Sequence, residues 1–336
     1  MRIAILIPPE SARYGGARDH ARVLADALTA LGADVRRVPG PFSTLRAVSI
    51  AARIAREGCT AAVLPYTPNL FGWRSLFPVL LLWAFRRRGI RSITYLHEIF
   101  MPSYCGFLRN AVQRPWNAAK DRLVFALSDR PVVSFHRRAD ELERATGRRP
   151  DVVPVFSNLP EADPGGRRAA ATHLLGYFGT LHPDIDTCTL AAALRRLPGA
   201  RMLLIGDLTR PPELREQCDG TGPLLPAEAA VALTRIKYFV LCDARGISFR
   251  KGSAAAALLN RVPVIATRSE WTDCEFRHKE NVWFFNGGET DLCRAVAALE
   301  ADPALAARIA GGGRALYDAH MAPDIAARRI LAMAEA

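Results

Sequence analysis

The sequence predicts an α/β protein made of two halves, each a parallel sheet covered by helices on both faces. Three observations carry this. Short apolar runs alternate with helical segments from the first residues to the last, the pattern of parallel sheets whose crossovers are helices. A polar stretch rich in Gly and Pro, 161–168, divides the series into two parts of similar size. A length of 336 residues, with 50% hydrophobic and 23% charged residues, suits two ordinary domains with substantial cores.

The elements follow in order. Residues 3–7 read as a first buried strand, and 16–31 as a helix with Ala17, Ala21, Leu24, Leu28 and Leu31 on one face at helical spacing. Strands follow at 35–38, 61–64, 92–96, 131–134 and 152–155. The apolar run 76–85, LFPVLLLWAF, precedes Arg86-Arg87-Arg88. Its ten residues fall short of the roughly 20 that span a bilayer, so it reads first as a buried helix between strands. A sharper reading is an interfacial helix whose Trp83 and arginines rest on anionic lipid, helped by an exposed Leu70-Phe71-Gly72-Trp73 loop. The second half holds strands at 174–178, 201–205, 238–241, 262–266 and 282–285, with a helix at 189–197. A closing helix, 323–336, offers Ile325, Ile330, Leu331 and Met333 to either half.

Charge and cysteine usage narrow the class. Forty-five Lys and Arg against 33 Asp and Glu give +12, which suits an anionic partner, although part of the excess reflects an Ala- and Arg-rich background. No recognition-helix module, aromatic-basic interleaving or basic tail points to nucleic acid. The seven cysteines are dispersed without a C-x-x-C pair, which argues against zinc and for a reducing compartment. The N-terminal apolar run is too short for a signal peptide, so a cytoplasmic protein is expected.

The most informative stretch is Arg245-Gly246-Ile247-Ser248-Phe249-Arg250-Lys251-Gly252-Ser253, followed by a helix at 254–260 and the strand-like Pro263-Val264-Ile265-Ala266-Thr267. It reads as a flexible basic loop opening a helix, a place to hold phosphate. Gly252 allows close approach, Ser253 can cap the helix, the helix N-terminus favours an anion, and Arg250, Lys251 and Arg245 add charge. Other groups fall where strands end, the edge at which such sheets bind ligands. Gly15-Gly16, with Tyr14 before them, follow the first strand and read as a close-approach site or a simple turn. A dinucleotide fingerprint of three spaced glycines is absent. His97-Glu98 end the strand 92–96, where a histidine can serve as base, donor or orienter. Gly179-Thr180 and Gly206-Asp207 end strands of the second half. Asp184-Ile185-Asp186 has the D-x-D form of a metal site, but acidic residues in a first helical turn also serve as caps, and that reading is preferred.

Together Gly176-Tyr177-Phe178-Gly179-Thr180, Leu203-Leu204-Ile205-Gly206, Gly222-Pro223-Leu224-Leu225-Pro226 and the basic loop with its following strand resemble the donor half of a GT-B glycosyltransferase. Val153-Pro154-Val155-Phe156-Ser157-Asn158 resembles the interdomain segment of bacterial surface-polysaccharide members. The resemblance implies two Rossmann-like domains facing a cleft: an acceptor-side domain at 1–160, a linker at 161–172, a nucleotide-sugar domain at 173–318, and a last helix, 319–336, crossing back to the first. It implies that Arg250, Lys251, Gly252, Ser253 and Arg245 hold the donor diphosphate. Gly15, Gly16, Gly179, Thr180, Gly206 and Asp207 would then face the donor, His97 would stand near the reacting sugar, and Glu98 and Tyr14 on the acceptor side.

The resemblance further implies transfer of a sugar from a nucleotide-diphosphate co-substrate to a glycan or lipid-linked acceptor, with retention, no metal and no other cofactor. Peripheral contact with the inner face of the cell membrane fits such a role. One departure stands out. Many retaining relatives carry two glutamates eight positions apart, and counting back from Pro263 those places hold Ser248 and Ala256. Asp243, Glu228, Asp207 or Asp186 are the carboxylates left to contact sugar or ribose. The departure keeps two other readings open: a catalytically degenerate subunit that binds nucleotide sugar or a partner, and a nucleotide-sugar epimerase.

Overall fold

A computed structural model describes residues 1–9, 15–68, 70–72, 74–97, 99, 107–162, 171–209 and 211–336. The chain divides into two compact units, one made of Met1–Ser134, Arg138–Val153 and Pro323–Ala336, the other of Phe135–Arg137 and Pro154–Ala322.

The first unit is built on a six-stranded, all-parallel sheet. Its elements run β1 (Arg2–Ile7), α1 (Gly15–Ala30), β2 (Asp34–Pro39), α2 (Ala47–Arg56), β3 (Ala61–Tyr66), α3 (Phe77–Arg87), β4 (Arg91–Leu96), α4 (Phe107–Leu127), β5 (Arg130–Val133), α5 (His136–Thr146) and β6 (Asp151–Val152). The strand order β2-β1-β3-β4-β5-β6 reverses direction after β2. Right-handed crossovers therefore place α1 on one face and α2, α3 and α4 together on the other. All six residues of β3 are buried, whereas β2 at the edge exposes Asp34, Arg36 and Arg37, charges that discourage edge-to-edge pairing.

The run 76–85 forms α3, which buries Phe77, Leu81, Leu82 and Phe85 but leaves Trp83 exposed. The loop before it is not the exposed apolar loop expected. Leu70 is buried and Phe71 packs on Phe42 and Phe77, while Trp73 lies outside the described residues. The strand expected at 152–155 stops at Val152. Val153 N–H still reaches Val133 O, but Pro154 has no N–H to continue the ladder, and Val155 N–H turns to Phe249 O at 2.9 Å within the second unit.

The second unit repeats the plan with β7 (His173–Phe178), α6 (Thr187–Arg196), β8 (Met202–Ile205), β9 (Cys218–Gly220), α7 (Pro226–Thr234), β10 (Ile236–Leu241), α8 (Gly252–Leu259), β11 (Val264–Thr267), β12 (Trp283–Phe285), α9 (Glu289–Ala301) and α10 (Pro303–Leu316). Its parallel sheet has the order β12-β11-β10-β7-β8-β9. The chain leaves β7 first toward β8 and later returns to β10 on the other side. The carboxyl ends of β7 and β10 thus frame the switch point where open sheets of this kind take ligands.

The change of unit falls at Val153–Pro154, ahead of the linker expected at 161–172. Glu161 is held to the second unit by Arg261 and Arg314, and Ala162 N–H donates to Asn260 Oδ1 at 2.8 Å. Residues 163–170 lie outside the described ones. After a π-helical turn, Tyr317–Met321, the last helix α11 (Pro323–Glu335) packs beside α1 within the first unit. It buries Ala326, Ala327 and Ile330, receives Arg91 at Ala334 O and sends Arg329 to Val152 O at 2.8 Å.

Candidate functional site

The basic loop lies at the switch point of the second sheet. Beyond β7, Gly179 turns the chain at φ 113°, and a Cβ on it would meet Ser253 Cβ at 3.3 Å, so the loop after β7 abuts the start of α8. Residues 184–186 then pair antiparallel with 242–244. Asp186 N–H donates to Cys242 O at 2.8 Å and Ala244 N–H to Asp184 O at 2.9 Å. Tyr177 Oη donates to Thr180 O at 2.9 Å.

The loop is not the flexible segment its composition suggests. Ile247, Ser248 and Phe249 are buried, and its backbone is tied down: Gly246 N–H to Asp243 O, Ile247 N–H to Thr267 O, Phe249 N–H to Asp273 Oδ2 and Lys251 N–H to Ser248 O, at 2.7–3.1 Å. Gly246 sits at φ 66° with no room for a side chain, since a Cβ would fall 2.8 Å from Ser269 N and Thr272 Oγ1. Gly252 is under no such constraint. Its φ is ordinary and a Cβ would make normal contact with Val155 at 3.6 Å. Ser253 does not cap α8: Lys251 is the N-cap, no side chain caps the helix, and Ser253 falls at the second helical position.

Asp243 organises the cations. Its carboxylate is wholly buried, accepts Arg245 N–H at 2.8 Å, is ion-paired with Lys251, and lies 3.9 Å from Arg250. Arg245 also pairs with Asp184 at 3.2 Å. Both arginines lie over the Trp271 ring, 5.2 Å and 5.7 Å from its centroid, and Trp271 stacks on Phe135. Burial lowers the Lys251 ammonium to about 8, with Arg250 adding to the shift and Asp243 opposing it. Burial likewise pushes Asp273 up to about 6, against the N–H groups of Phe249 and His136 that favour its charged form. His136 Nε2 and carboxylate oxygens of Asp273 and Glu275 lie within 4.8 Å of one another, but both Asp273 oxygens already accept backbone N–H groups.

The other carboxylates proposed for sugar or ribose are engaged by backbone N–H groups or exposed. Asp186 caps α6, accepting Thr189 N–H at 2.9 Å and its hydroxyl at 2.7 Å. Glu228 accepts Leu225 N–H at 2.9 Å at the start of α7. Asp207 is exposed after Gly206, whose φ is 109° and whose N–H reaches Thr221 Oγ1 at 3.0 Å. Ser248 and Ala256 are sealed in the core, and the Ser248 hydroxyl has no hydrogen-bond partner among the described residues.

In the first unit, His97 follows β4 with its N–H shared between Tyr66 O at 3.0 Å and Tyr95 O at 3.1 Å. Its ring stacks on Tyr95 at 4.6 Å and meets the His20 ring edge-on at 4.8 Å. The residue is half-buried overall, but Nε2 is closed off from solvent and has no partner among the described residues. Burial lowers His97 to about 4, so the imidazole is neutral at pH 7. His20 on α1 was not singled out from sequence, although its position between Ala17 and Leu24 puts it on the apolar stripe of that helix. Gly16 lies in the first turn of α1, which begins at Gly15; Tyr14 and Glu98 lie outside the described residues.

The neutral His97 gives a pH signature. Its folded pKa lies below the unfolded value near 6.5, so the unfolded chain binds more protons between the two, and stability is lost as pH falls through that window. His97→Gln should recover about 1 kcal/mol of that loss near pH 5.5, measured by urea unfolding at pH 7.5 and 5.5. An identical pH dependence in the variant would show that His97 is not buried neutral.

The sequence matches no protein-family model and no curated protein. Solved structures do match over the whole chain. The fold is similar to that of a sucrose-phosphate synthase from Thermosynechococcus elongatus, with 15% identity, a TM-score of 0.74, and coverage of 100% of this chain and 98% of that one. It is also similar to HepE of Anabaena, in complex with UDP, at 14% identity and a TM-score of 0.68 over 100% of both chains. The fold is GT-B. A glycosyltransferase from Rickettsia africae ESF-5 shares this GT-B fold at 13% identity and a TM-score of 0.70, over 99% of this chain and 97% of that one.

Proposed function

We propose that the protein is a glycosyltransferase that moves a sugar from a nucleotide-diphosphate donor to a hydroxyl of a glycan or lipid-linked acceptor in cell-surface polysaccharide synthesis. The observation that carries this reading is the placement of Arg250 and Lys251 immediately before the first turn of α8, at the switch point of a GT-B sheet. The first N–H groups of α8 have no acceptor within the helix and favour an anion, and the two cations stand beside them. HepE, which shares the fold, is seen with UDP and with UDP-glucose. In this reading the diphosphate binds at Gly252 and Ser253, with Arg250, Lys251 and Arg245 offsetting the charge that develops on it as the sugar departs. The cations do this without a metal, and the sugar is transferred with retention. The Gly179-Thr180 and Gly206-Asp207 turns border the donor, and the neutral His97 stands near the reacting sugar.

Lys251 makes the binding titratable. The diphosphate needs the ammonium, which is lost as pH rises through about 8, so nucleotide-diphosphate affinity should fall about tenfold between pH 7 and 9. Calorimetry at the two pH values reads this, and a flat affinity would remove Lys251 from the site.

A second reading is favoured by one observation. Ser248 and Ala256, sealed in the core, leave the donor without the two carboxylates of the retaining relatives, as a binding subunit would. Release of nucleoside diphosphate from a bound donor, followed with and without glycan acceptors, separates the two. Acceptor-dependent release supports transfer; tight donor binding with no release supports the subunit.

A further inference from the structure

The helix α7 is apolar on nearly every side. Its nine residues, Pro226–Thr234, carry one charge, Glu228. A helix of that kind belongs in an interior, and α8, which has no charge from Gly252 to Leu259, is buried from Ala254 onward. α7 is only half covered. It packs beside β8 and β10 and buries Ala229, Ala230, Ala232 and Leu233, but its other side lies open. Leu225 at its N-cap is 68% exposed and Val231 is 43% exposed, and these are the two large apolar side chains left exposed in the second unit among the described residues. Pro223, Pro226 and Ala227 are exposed with them. The open side carries a groove of about 590 Å³ lined by Thr221, Leu224, Ala227, Glu228, Val231 and Arg235. An apolar face of this kind marks a contact with another molecule.

Charge identifies what covers it. Glu228 and Arg235 are both exposed on this face, three residues before and four after Val231. One Glu228 oxygen accepts Leu225 N–H, and neither side chain makes an ion pair among the described residues. A two-fold axis across the helix near Val231 lays a second α7 antiparallel on the first. Glu228 of each copy then meets Arg235 of the other, and the Val231 side chains meet at the axis. Seven residues span about 10 Å of helix, so both ion pairs form at once, one on each side of the axis. Such a surface is its own complement, which is the requirement of a two-fold interface. Ala227, small and on the same face, lets the two helices approach closely. A partner of single-sign charge would match one of the two residues and oppose the other.

We infer that α7 is the contact of a homodimer, in which two copies pack antiparallel across Val231 with Glu228 and Arg235 paired reciprocally. This does not rest on the glycosyltransferase reading, and its test needs no nucleotide. A helix face of two to three turns is smaller than a standard interface, so the dimer is a weak one. Sedimentation equilibrium of the full chain, over a concentration series reaching hundreds of micromolar, should give a mass rising from that of the 36.8 kDa chain toward twice that value. Val231→Glu places two acids at the axis and should leave only monomer. Arg235→Glu sets carboxylate against carboxylate and should weaken the dimer about tenfold or more. Glu228→Arg/Arg235→Glu restores both pairs with the charges exchanged and should recover most of the lost affinity. All three positions are exposed, and thermal melts verify that the variants fold. A monomer across the whole series would overturn the proposal, whatever other molecule then covered the face. So would a dimer that Val231→Glu leaves intact, or a double variant that dimerises no better than Arg235→Glu.

Discussion

Asp243→Ala should lower the unfolding free energy by about 3–5 kcal/mol, because it strands the buried Lys251 ammonium and removes the acceptor of Arg245 N–H. The pH dependence identifies the cause. Lys251 already titrates below an ordinary lysine, so the unfolded chain holds its proton where the folded one releases it. Without Asp243, which favours the charged form, the folded pKa drops further. The deficit should therefore shrink as pH rises toward 8 and level off above it. Asp243→Asn keeps an acceptor for Arg245 N–H while losing the charge, and should fall between wild type and Asp243→Ala. Urea unfolding from pH 6 to 9 reads all of this. A deficit independent of pH would mean that the Asp243 carboxylate does not hold Lys251.

Gly246→Ala should cost about 3 kcal/mol, with loss of nucleotide-diphosphate binding. Alanine at φ 66° is strained, and its Cβ would meet Ser269 N, Thr272 Oγ1 and Thr267 O at 2.8–3.0 Å, two of them backbone atoms. The loop would be pushed off its bonds to Thr267 and Asp273, carrying Arg250 and Lys251 with it. Gly252→Ala, whose Cβ would find ordinary contact, should fold with near wild-type stability. Thermal melts of both variants decide whether position 246 or 252 needs glycine to hold the loop. Equal melts would refute the assignment.

The contrast between these two glycines shows what was legible in the sequence. The buried strands could be read because their apolar runs are continuous, and β9 escaped because an edge strand of three residues, Cys-Asp-Gly, carries no such run. The basic loop was visible as composition, but its rigidity was not. Ile247 and Phe249 look like loop residues until Thr267 and Asp273, some 20 positions later, supply the acceptors. Asp243 stood out as a spare carboxylate near the ligand edge, yet sequence cannot show that Lys251 folds back onto it. Asp186 was ambiguous between cap and ligand and Glu228 was offered as a ligand, and the backbone N–H groups within reach make both of them caps.

The central claim is that a nucleotide-diphosphate sugar is held where Arg250 and Lys251 meet the start of α8. Calorimetric titration of UDP and UDP-glucose, together with the GDP, ADP and dTDP sugars, against the wild type and Arg250→Ala tests it most directly. At least one nucleotide-diphosphate sugar should bind the wild type, and Arg250→Ala should weaken it about tenfold or more without lowering the melting temperature. Absence of binding by every donor, or an affinity unchanged in Arg250→Ala, would contradict the claim.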